Sequence, residues 1–139
     1  MLSVAKQFTL GKNERLKSRK QIEQLFSEGK KFVVAPFRLH YIMSKMLNAQ
    51  RSMFNVQFGV GVSGKNFKKA VDRNRIKRLT REAWRLQKNE LKEKLKAGDQ
   101  QMNVFFIYTS KELPEYSIVF NKMGTIIKKL IEELGQKGK

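Results

Sequence analysis

The feature that most constrains the fold is a run of alternating residues in the middle of the chain. Every second residue from Phe54 to Val62 is Phe or Val, and the residues between them are polar or glycine. Because strand side chains point alternately to the two faces, this period of two predicts a strand with one apolar face. Gly59 and Gly61 fall on the other face, which predicts either a closely packed helix or a bend in the backbone.

A strongly basic segment over residues 65–85 follows this strand and has the spacing of a helix. Its apolar residues recur at steps of three and four and form one stripe: Ile76, Leu79, Ala83 and Leu86. Its basic residues recur every four and form another: Arg73, Lys77, Arg81 and Arg85. Like charges four apart destabilise an isolated helix by roughly 0.2–0.5 kcal/mol per pair. The basic stripe therefore favours an anionic partner over a merely solvated helix face.

Two elements are predicted before the alternating strand. Ser18 and Gln21 fit a capping box for a helix over about 19–28, and Gly29 can adopt the left-handed conformation that ends a helix. After Pro36 the residues predict a strand near 37–45. One face of that strand would carry Phe37, Leu39 and Tyr41, and the other Arg38, His40 and Ile42.

Two further elements are predicted after the basic helix. The nearly continuous apolar run from Met102 to Thr109 indicates a central strand covered on both faces, and an apolar stripe up to Gly135 indicates a long final helix. The chain is therefore of the α+β class, in the order α-β-β-(β)-α-β-α. A single-domain α/β sandwich is the economical architecture. We expect a basic N-terminal arm over 1–17, the domain over 18–135 and a disordered basic tail over 136–139.

The composition narrows the class of function. Of 139 residues, 40% are hydrophobic and ten are Phe, which is enough for one domain with a sizeable core. Thirty Lys and Arg against twelve Asp and Glu give a formal net charge of +18, which favours a nucleic acid as partner. The absence of Cys and the single His exclude disulfides, thiolate metal sites and zinc sites built from several imidazoles.

Neither a membrane nor an exported location is expected. No apolar stretch approaches the roughly 20 residues that are needed to span a bilayer. The start of the chain lacks the apolar region and the cleavage site of a signal peptide, so we expect the protein to be cytoplasmic.

Two blocks of residues resemble the bacterial ribonuclease P protein. Residues 58–63, Phe-Gly-Val-Gly-Val-Ser, are followed by residues 70–78, Ala-Val-Asp-Arg-Asn-Arg-Ile-Lys-Arg, which place Arg-Asn-Arg where the family has it. The resemblance continues upstream through residues 8–10, 13–17 and 25–26 with Gly29, and downstream through the last strand and helix. It covers nearly the whole chain and implies a small α/β protein with an architecture like that of ribosomal proteins.

The resemblance also implies a function. Family members bind a large catalytic RNA, and the two together remove the 5′ leader from precursor tRNA with magnesium ions. The RNA subunit performs the hydrolysis, so no residue of this chain is expected to be catalytic. The protein alone is expected to hold no metal or cofactor and to require no protein partner.

Residues carried over from the family divide into two sites. The resemblance implies that one set of residues contacts the RNA subunit: Arg73, Asn74, Arg75, Lys77, Arg78 and Arg81. Further basic contacts would be Lys65, Lys69 and Arg85. Arginine matches phosphate oxygens with a planar fork and lysine adds a point charge. Asn74 can read a base edge or a 2′-hydroxyl, or it can instead orient its neighbours within the protein. Gly64 departs from the family, which often has two consecutive basic residues after the strand.

The second site is a cleft between the first helix and the sheet, where family members hold the single-stranded leader. The matching positions are Ile22, Phe26, Arg38 and His40. Ile22 and His40 stand where relatives carry aromatic residues. Phe26 and His40 can stack on unpaired bases, each stack being worth roughly 1–3 kcal/mol. For Phe26 and Ile22 the other interpretation is that they are ordinary core residues.

Three other functions fit parts of the pattern. A ribosomal-type RNA-binding protein would share the charge and the architecture, and only the order of the motifs separates it. A self-sufficient nuclease would need clustered carboxylates or a paired general base, and Asp72 is the only acid close to the basic motif. A reader of duplex DNA would need dimerising heptads or a paired helix-turn-helix signal, which the sequence lacks.

Overall fold

The described chain forms a four-stranded sheet with helices on both faces. The computed structural model describes residues 15–16, 19–45, 56–98 and 100–137. In chain order its elements are α1 (Arg19–Glu28), β1 (Lys30–Val34), β2 (Phe37–Lys45), β3 (Val56–Val62), α2 (Ala70–Gln87), α3 (Asn89–Ala97), β4 (Gln100–Tyr108) and α4 (Tyr116–Lys137). The predicted α+β class is confirmed, and the optional extra strand is β1. The predicted order lacked α3.

The strand order in the sheet is β1-β2-β4-β3. The pairs β1–β2 and β2–β4 are antiparallel, and β3–β4 is parallel, with α2 and α3 forming the crossover between them. The predicted central position of β4 is confirmed. Its two faces differ, however, because one is fully buried while Phe105 and Ile107 on the other are half-buried.

The main core lies between the sheet and the helices α2, α3 and α4. Its centre is the ring of Phe58 stacked on Trp84 with centroids 4.9 Å apart, and Phe106 packs against both rings. Such aromatic pairs contribute roughly 0.5–1.5 kcal/mol beyond the area they bury. Side chains from β3, β4 and α2 therefore meet at the centre of the core.

The buried stripe of α2 differs from the predicted one. Ile76 and Ala83 are buried as predicted, but Leu86 is 38% exposed, and Thr80 and Trp84 are fully buried in its place. The reason is the helical period of 3.6 residues, which brings positions 76, 80, 83 and 84 to one side. The Thr80 hydroxyl donates to the carbonyl of Ile76 at 2.8 Å, so its burial leaves no unpaired hydroxyl.

The glycines of β3 are explained by neither of the two predicted arrangements. The ring of Phe105 on β4 lies over both, and a Cβ atom on Gly59 would stand 2.7 Å from Phe105 Cδ1. The same Cβ would stand 3.1 Å from the backbone oxygen of Leu16. A side chain of the neighbouring strand and a short piece of the arm therefore occupy the space that the glycines leave.

The first helix has the predicted bounds but ends differently. The N–H of Gly29 donates to the carbonyl of Leu25 at 2.9 Å, and no glycine in the described ranges has a positive φ. The predicted left-handed conformation is therefore wrong. Glycine is required there for another reason, because a Cβ would lie 2.5 Å from the Leu25 carbonyl oxygen.

Only parts of the predicted arm and tail belong to the described residues. Leu16 is buried, and its N–H donates to the carbonyl of Phe58 at 2.7 Å. At the other end, the backbone of α4 is described as far as Lys137. The remaining residues of 1–17 and 136–139, and Phe54, lie outside the described ranges. No helix within those ranges is long and apolar enough to cross a membrane.

Candidate nucleic-acid interface

The basic helix α2 presents its cations on one flank and on its outer face. Asn74, Arg75 and Arg78 are exposed, whereas Arg73, Lys77 and Arg81 are partly buried. Successive helix residues are about 100° apart, so Arg73, Lys77 and Arg81 follow one another along the flank, and Arg78 lies on the outer face. Arg75 points about 200° away from Arg73. The structure thus groups most of the predicted RNA-contact residues and separates Arg75 from that row.

Arg73 also has a structural role. Its Nη1 donates to the backbone oxygens of Phe67 and Lys68, at 2.8 and 2.9 Å. These bonds hold the loop before α2 against the first turn of the helix. Phe67 itself is buried in the core, which anchors the loop from the other side. The loop that carries Lys65 and Lys69 is therefore fixed in place by a residue of the Arg-Asn-Arg motif.

Residues 65–69 precede the helix, which corrects the prediction of a helix from residue 65. The helix begins at Ala70, and its N-cap residue Lys69 makes no side-chain capping bond. Lys65 and Lys69 are exposed. The N-terminus of a helix attracts anions through its N–H groups and its dipole. Exposed lysines at this end add to that attraction.

Arg85 is engaged with an acid of the same helix, Glu82. Its Nε donates to Glu82 Oε2 at 3.2 Å, and its Nη2 is paired with Glu82 Oε1. This pairing raises the pKa of Arg85. Arg85 is therefore a weaker candidate for a phosphate contact than Arg78, which is exposed.

Arg81 lies close to a cation from the arm. Burial lowers the pKa of Arg81, and the charge of Arg15 lowers it further. Arg15 forms an isolated parallel bridge with Phe58 on β3. Sequence reasoning did not select Arg15, because no local pattern shows that the arm lies beside α2.

The second predicted site lies on the opposite face of the sheet, under α1. Lys31, His40, Phe105 and Gly59 are in register across the four strands. The ring of Phe26 on α1 packs edge-on against His40 at 4.8 Å and against Phe105 at 5.6 Å. The structure therefore brings Phe26 and His40 together as predicted and adds Phe105.

The three rings differ in how accessible they are. Phe26 is 46% exposed, so it is not an ordinary core residue, whereas His40 is only 8% exposed. Ile22 is half-buried and Arg38 is exposed. Phe26 therefore offers the accessible ring, and His40 supports it from below. Phe105 could have been found only from the register with Gly59, which a single sequence does not reveal.

The environment of His40 favours its neutral form. Burial lowers its pKa below the usual 6.5, and the charges of Arg38 and Lys31 lower it further. Its Nδ1 is buried and has no hydrogen-bond partner within the described ranges. The same ranges contain no group of three His, Cys, Asp or Glu side chains that could hold a metal ion.

A basic helix and a cluster of aromatic rings with an accessible Phe26 on one small α/β domain define a class, that of single-domain RNA-binding proteins. A family model described as Ribonuclease P matches residues 10–131. The ribonuclease P protein component of Porphyromonas gingivalis is 40% identical over 116 residues, covering 84% of this chain and 82% of the relative. That of Chlorobaculum tepidum is 37% identical over 116 residues, covering 80% and 74%. The chain belongs to the ribonuclease P protein family.

Solved structures agree on the fold. The RNase P protein of Thermotoga maritima superposes with a TM-score of 0.64 at 24% identity, covering 84% of this chain and 96% of that one. The protein of Staphylococcus aureus gives 0.55 at 18% identity, covering 84% and 94%. Members of the family are subunits of an endoribonuclease that processes tRNA together with an RNA subunit, and this chain shares that role.

Proposed function

We propose that this chain binds the RNA subunit of ribonuclease P through α2 and holds the 5′ leader of precursor tRNA in the cleft beside Phe26. The observation that carries the proposal is the position of β3. Phe58 of β3 packs on α2, while Gly59 lies under Phe105 on the cleft face. The two sites therefore lie on the two faces of one edge strand, so that the RNA subunit and a single strand can be bound at the same edge of the sheet.

The division of labour follows from the chemistry of the two sites. Cations on α2 neutralise phosphates of the RNA subunit, and the release of counterions makes that binding salt-dependent. The ring of Phe26 stacks on an unpaired base whatever its identity. Because only the precursor has a leader, the cleft makes the precursor bind more tightly than the product. In this proposal hydrolysis, and the magnesium ions that assist it, belong to the RNA, and no protein partner is needed in the cytoplasm.

Leader-length dependence tests the cleft. Replacing Phe26 with alanine should weaken precursor binding by the holoenzyme by roughly 1–3 kcal/mol, the value of one stacked base, and only for precursors with a leader. The matched control is Ile118→Ala on α4, because Ile118 is 47% exposed and Phe26 is 46% exposed. Binding of precursors with increasing leader lengths is the measurement. Equal losses with and without a leader would contradict the assignment.

The same binding assay distinguishes the contribution of α2 from the contribution of the leader site. Arg78→Ala should weaken assembly with the RNA subunit and leave the gain from a leader unchanged, because Arg78 is exposed on α2. Cleavage by the RNA alone, the protein alone and both together identifies the catalyst. Cutting by the protein alone would reveal a nuclease, and no effect of the protein on the RNA would favour a ribosomal-type binder.

A further inference from the structure

The sheet face under α1, which we call the leader face, continues from the cleft to the edge strand β1. Lys31 pairs with His40 and Val33 pairs with Arg38, so their side chains share this face. After burial, the charges of Arg38 and Lys31 lower the pKa of His40, so both cations lie near its ring. Val33 is 62% exposed. A basic and partly apolar surface therefore leads from the cleft to the edge of β1.

A cavity of about 390 Å³ lies around this edge, between β1 and α4. Its walls include Lys30 and Phe32 from β1, and Lys129 from α4. Lys31 also lines the cavity, although its side chain starts on the leader face. The cavity therefore opens at the edge of the strand. Pockets for small ligands usually measure about 300–1,000 Å³, so this one can hold part of a nucleotide chain.

Among the described residues, three lysines and one acid line the cavity. The Nζ atom of Lys129 lies 5.0 Å from the centroid of the Phe32 ring. The acid, Glu133, interacts with Tyr41: burial raises the pKa of Tyr41, and the charge of Glu133 and a hydrogen bond to it raise that pKa further. Surplus positive charge beside an aromatic ring is the combination that binds single-stranded nucleic acid.

Protection of the sheet edge does not explain the whole cluster. Lysines on an edge strand discourage pairing with another sheet, and Lys30 and Lys31 can serve that purpose. Lys129 belongs to α4, however, and its charge is held over Phe32 on the inner side of the edge. The cluster therefore surrounds the cavity and does not merely follow the strand.

We propose that the cavity is a distal leader site, which binds nucleotides of a long leader after the strand has passed Phe26 and turned around the edge of β1. The inference rests on the proposed function, which places the RNA subunit on α2. Helix α2 packs on β3, at the other edge of the sheet. The cleavage-site end of the leader therefore enters from the β3 edge, and its free 5′ end is directed towards β1. Lysines bind phosphates without reading bases, so the distal site selects leaders by length.

Precursor binding by the holoenzyme over a series of leader lengths tests the distal site. The natural protein should gain affinity twice, first when the leader reaches Phe26 and again when it is a few nucleotides longer. Lys129→Gln should reduce the second gain about two- to fivefold, the range for one exposed charge pair, and leave the first gain unchanged. The salt dependence of the second gain should also weaken by about 0.7 units in the slope of log K against log salt.

Two further variants separate the distal site from a general effect of charge or folding. Lys128→Gln makes the same change at the neighbouring residue of α4, which lines a groove beside Gln87 instead, and it should keep the second gain. Glu133→Gln retains a hydrogen-bond acceptor for Tyr41 and removes a negative charge from the cavity. It should therefore increase the second gain, a result that damage to the fold would not produce.

The outcomes distinguish the distal site from the proposed function. A gain at short leader lengths with no second gain, or an equal second gain in Lys129→Gln and the natural protein, would overturn the distal site and leave the cleft standing. A gain for long leaders that Lys129→Gln reduces, without an earlier gain that depends on Phe26, would support the distal site and overturn the assignment of the cleft.

Discussion

A side chain at position 64 would project into open space beside the start of α2. No atom lies within 4 Å of a Cβ built on Gly64, whereas Lys65 next to it is exposed. The backbone of this chain can accept a basic side chain here without strain. A basic side chain is therefore absent here only because position 64 is glycine, and the fold itself has room for one.

Gly64→Lys should therefore bind the RNA subunit more tightly and with a steeper dependence on salt. One added phosphate contact increases the slope of log K against log salt by about one unit. The measurement is binding of the RNA subunit over a series of salt concentrations. Gly98→Lys, which adds the same charge at the end of α3, is the control. An unchanged slope would show that position 64 lies outside the interface.

At the scale of elements, the sequence correctly predicted the helix and strand features that depend on local periodicity. The bounds of α1 and β2, the central position of β4 and the basic face of α2 all follow from residues close together in the chain. The break between α2 and α3 at Lys88 has no such signal, because the charged pattern continues through it.

The residues of the candidate site also fall into two groups, those that a local sequence pattern predicts and those that it does not. Phe26 and His40 could be selected from patterns within their own elements. Phe105 and Arg15 could not, because their positions depend on how β3 pairs with β4 and with the arm. Strand register and arm docking are tertiary properties, and one sequence does not show which distant residues face each other.

The position of the Phe105 ring over Gly59 predicts the effect of adding a methyl group at position 59. Gly59→Ala should lower the free energy of unfolding by about 1–3 kcal/mol, because the new Cβ would overlap the ring of Phe105. Gly64→Ala is the control, since its Cβ meets no atom within 4 Å. Urea unfolding measures both. If the two variants are equally stable, Phe105 does not lie over Gly59; combining Gly59→Ala with Phe105→Leu should recover part of the loss.

At the scale of the whole molecule, His40 couples stability to pH. Its folded-state pKa lies below the unfolded value of 6.5, so the unfolded chain takes up the proton first as the pH falls. Stability is therefore lost as the pH falls from 6.5 towards the folded-state pKa. His40 is the only histidine in the chain.

His40→Phe should remove that part of the pH dependence. Between about pH 7.5 and pH 5.5, the free energy of unfolding of the natural protein should fall more than that of the variant, because only the natural protein has a histidine that titrates there. Urea unfolding at the two pH values is the measurement. A parallel fall in both proteins would assign the effect to other groups.

The strand order β1-β2-β4-β3 also governs when the chain can fold during synthesis. The strand that joins the β1–β2 hairpin to β3 is β4, which is the last strand to leave the ribosome. Until residues 100–108 emerge, β3 has no partner within the sheet except the short bridge to Arg15. A nascent chain that stops before β4 therefore leaves β3 without its partner strand, and of the sheet only the β1–β2 hairpin can form first.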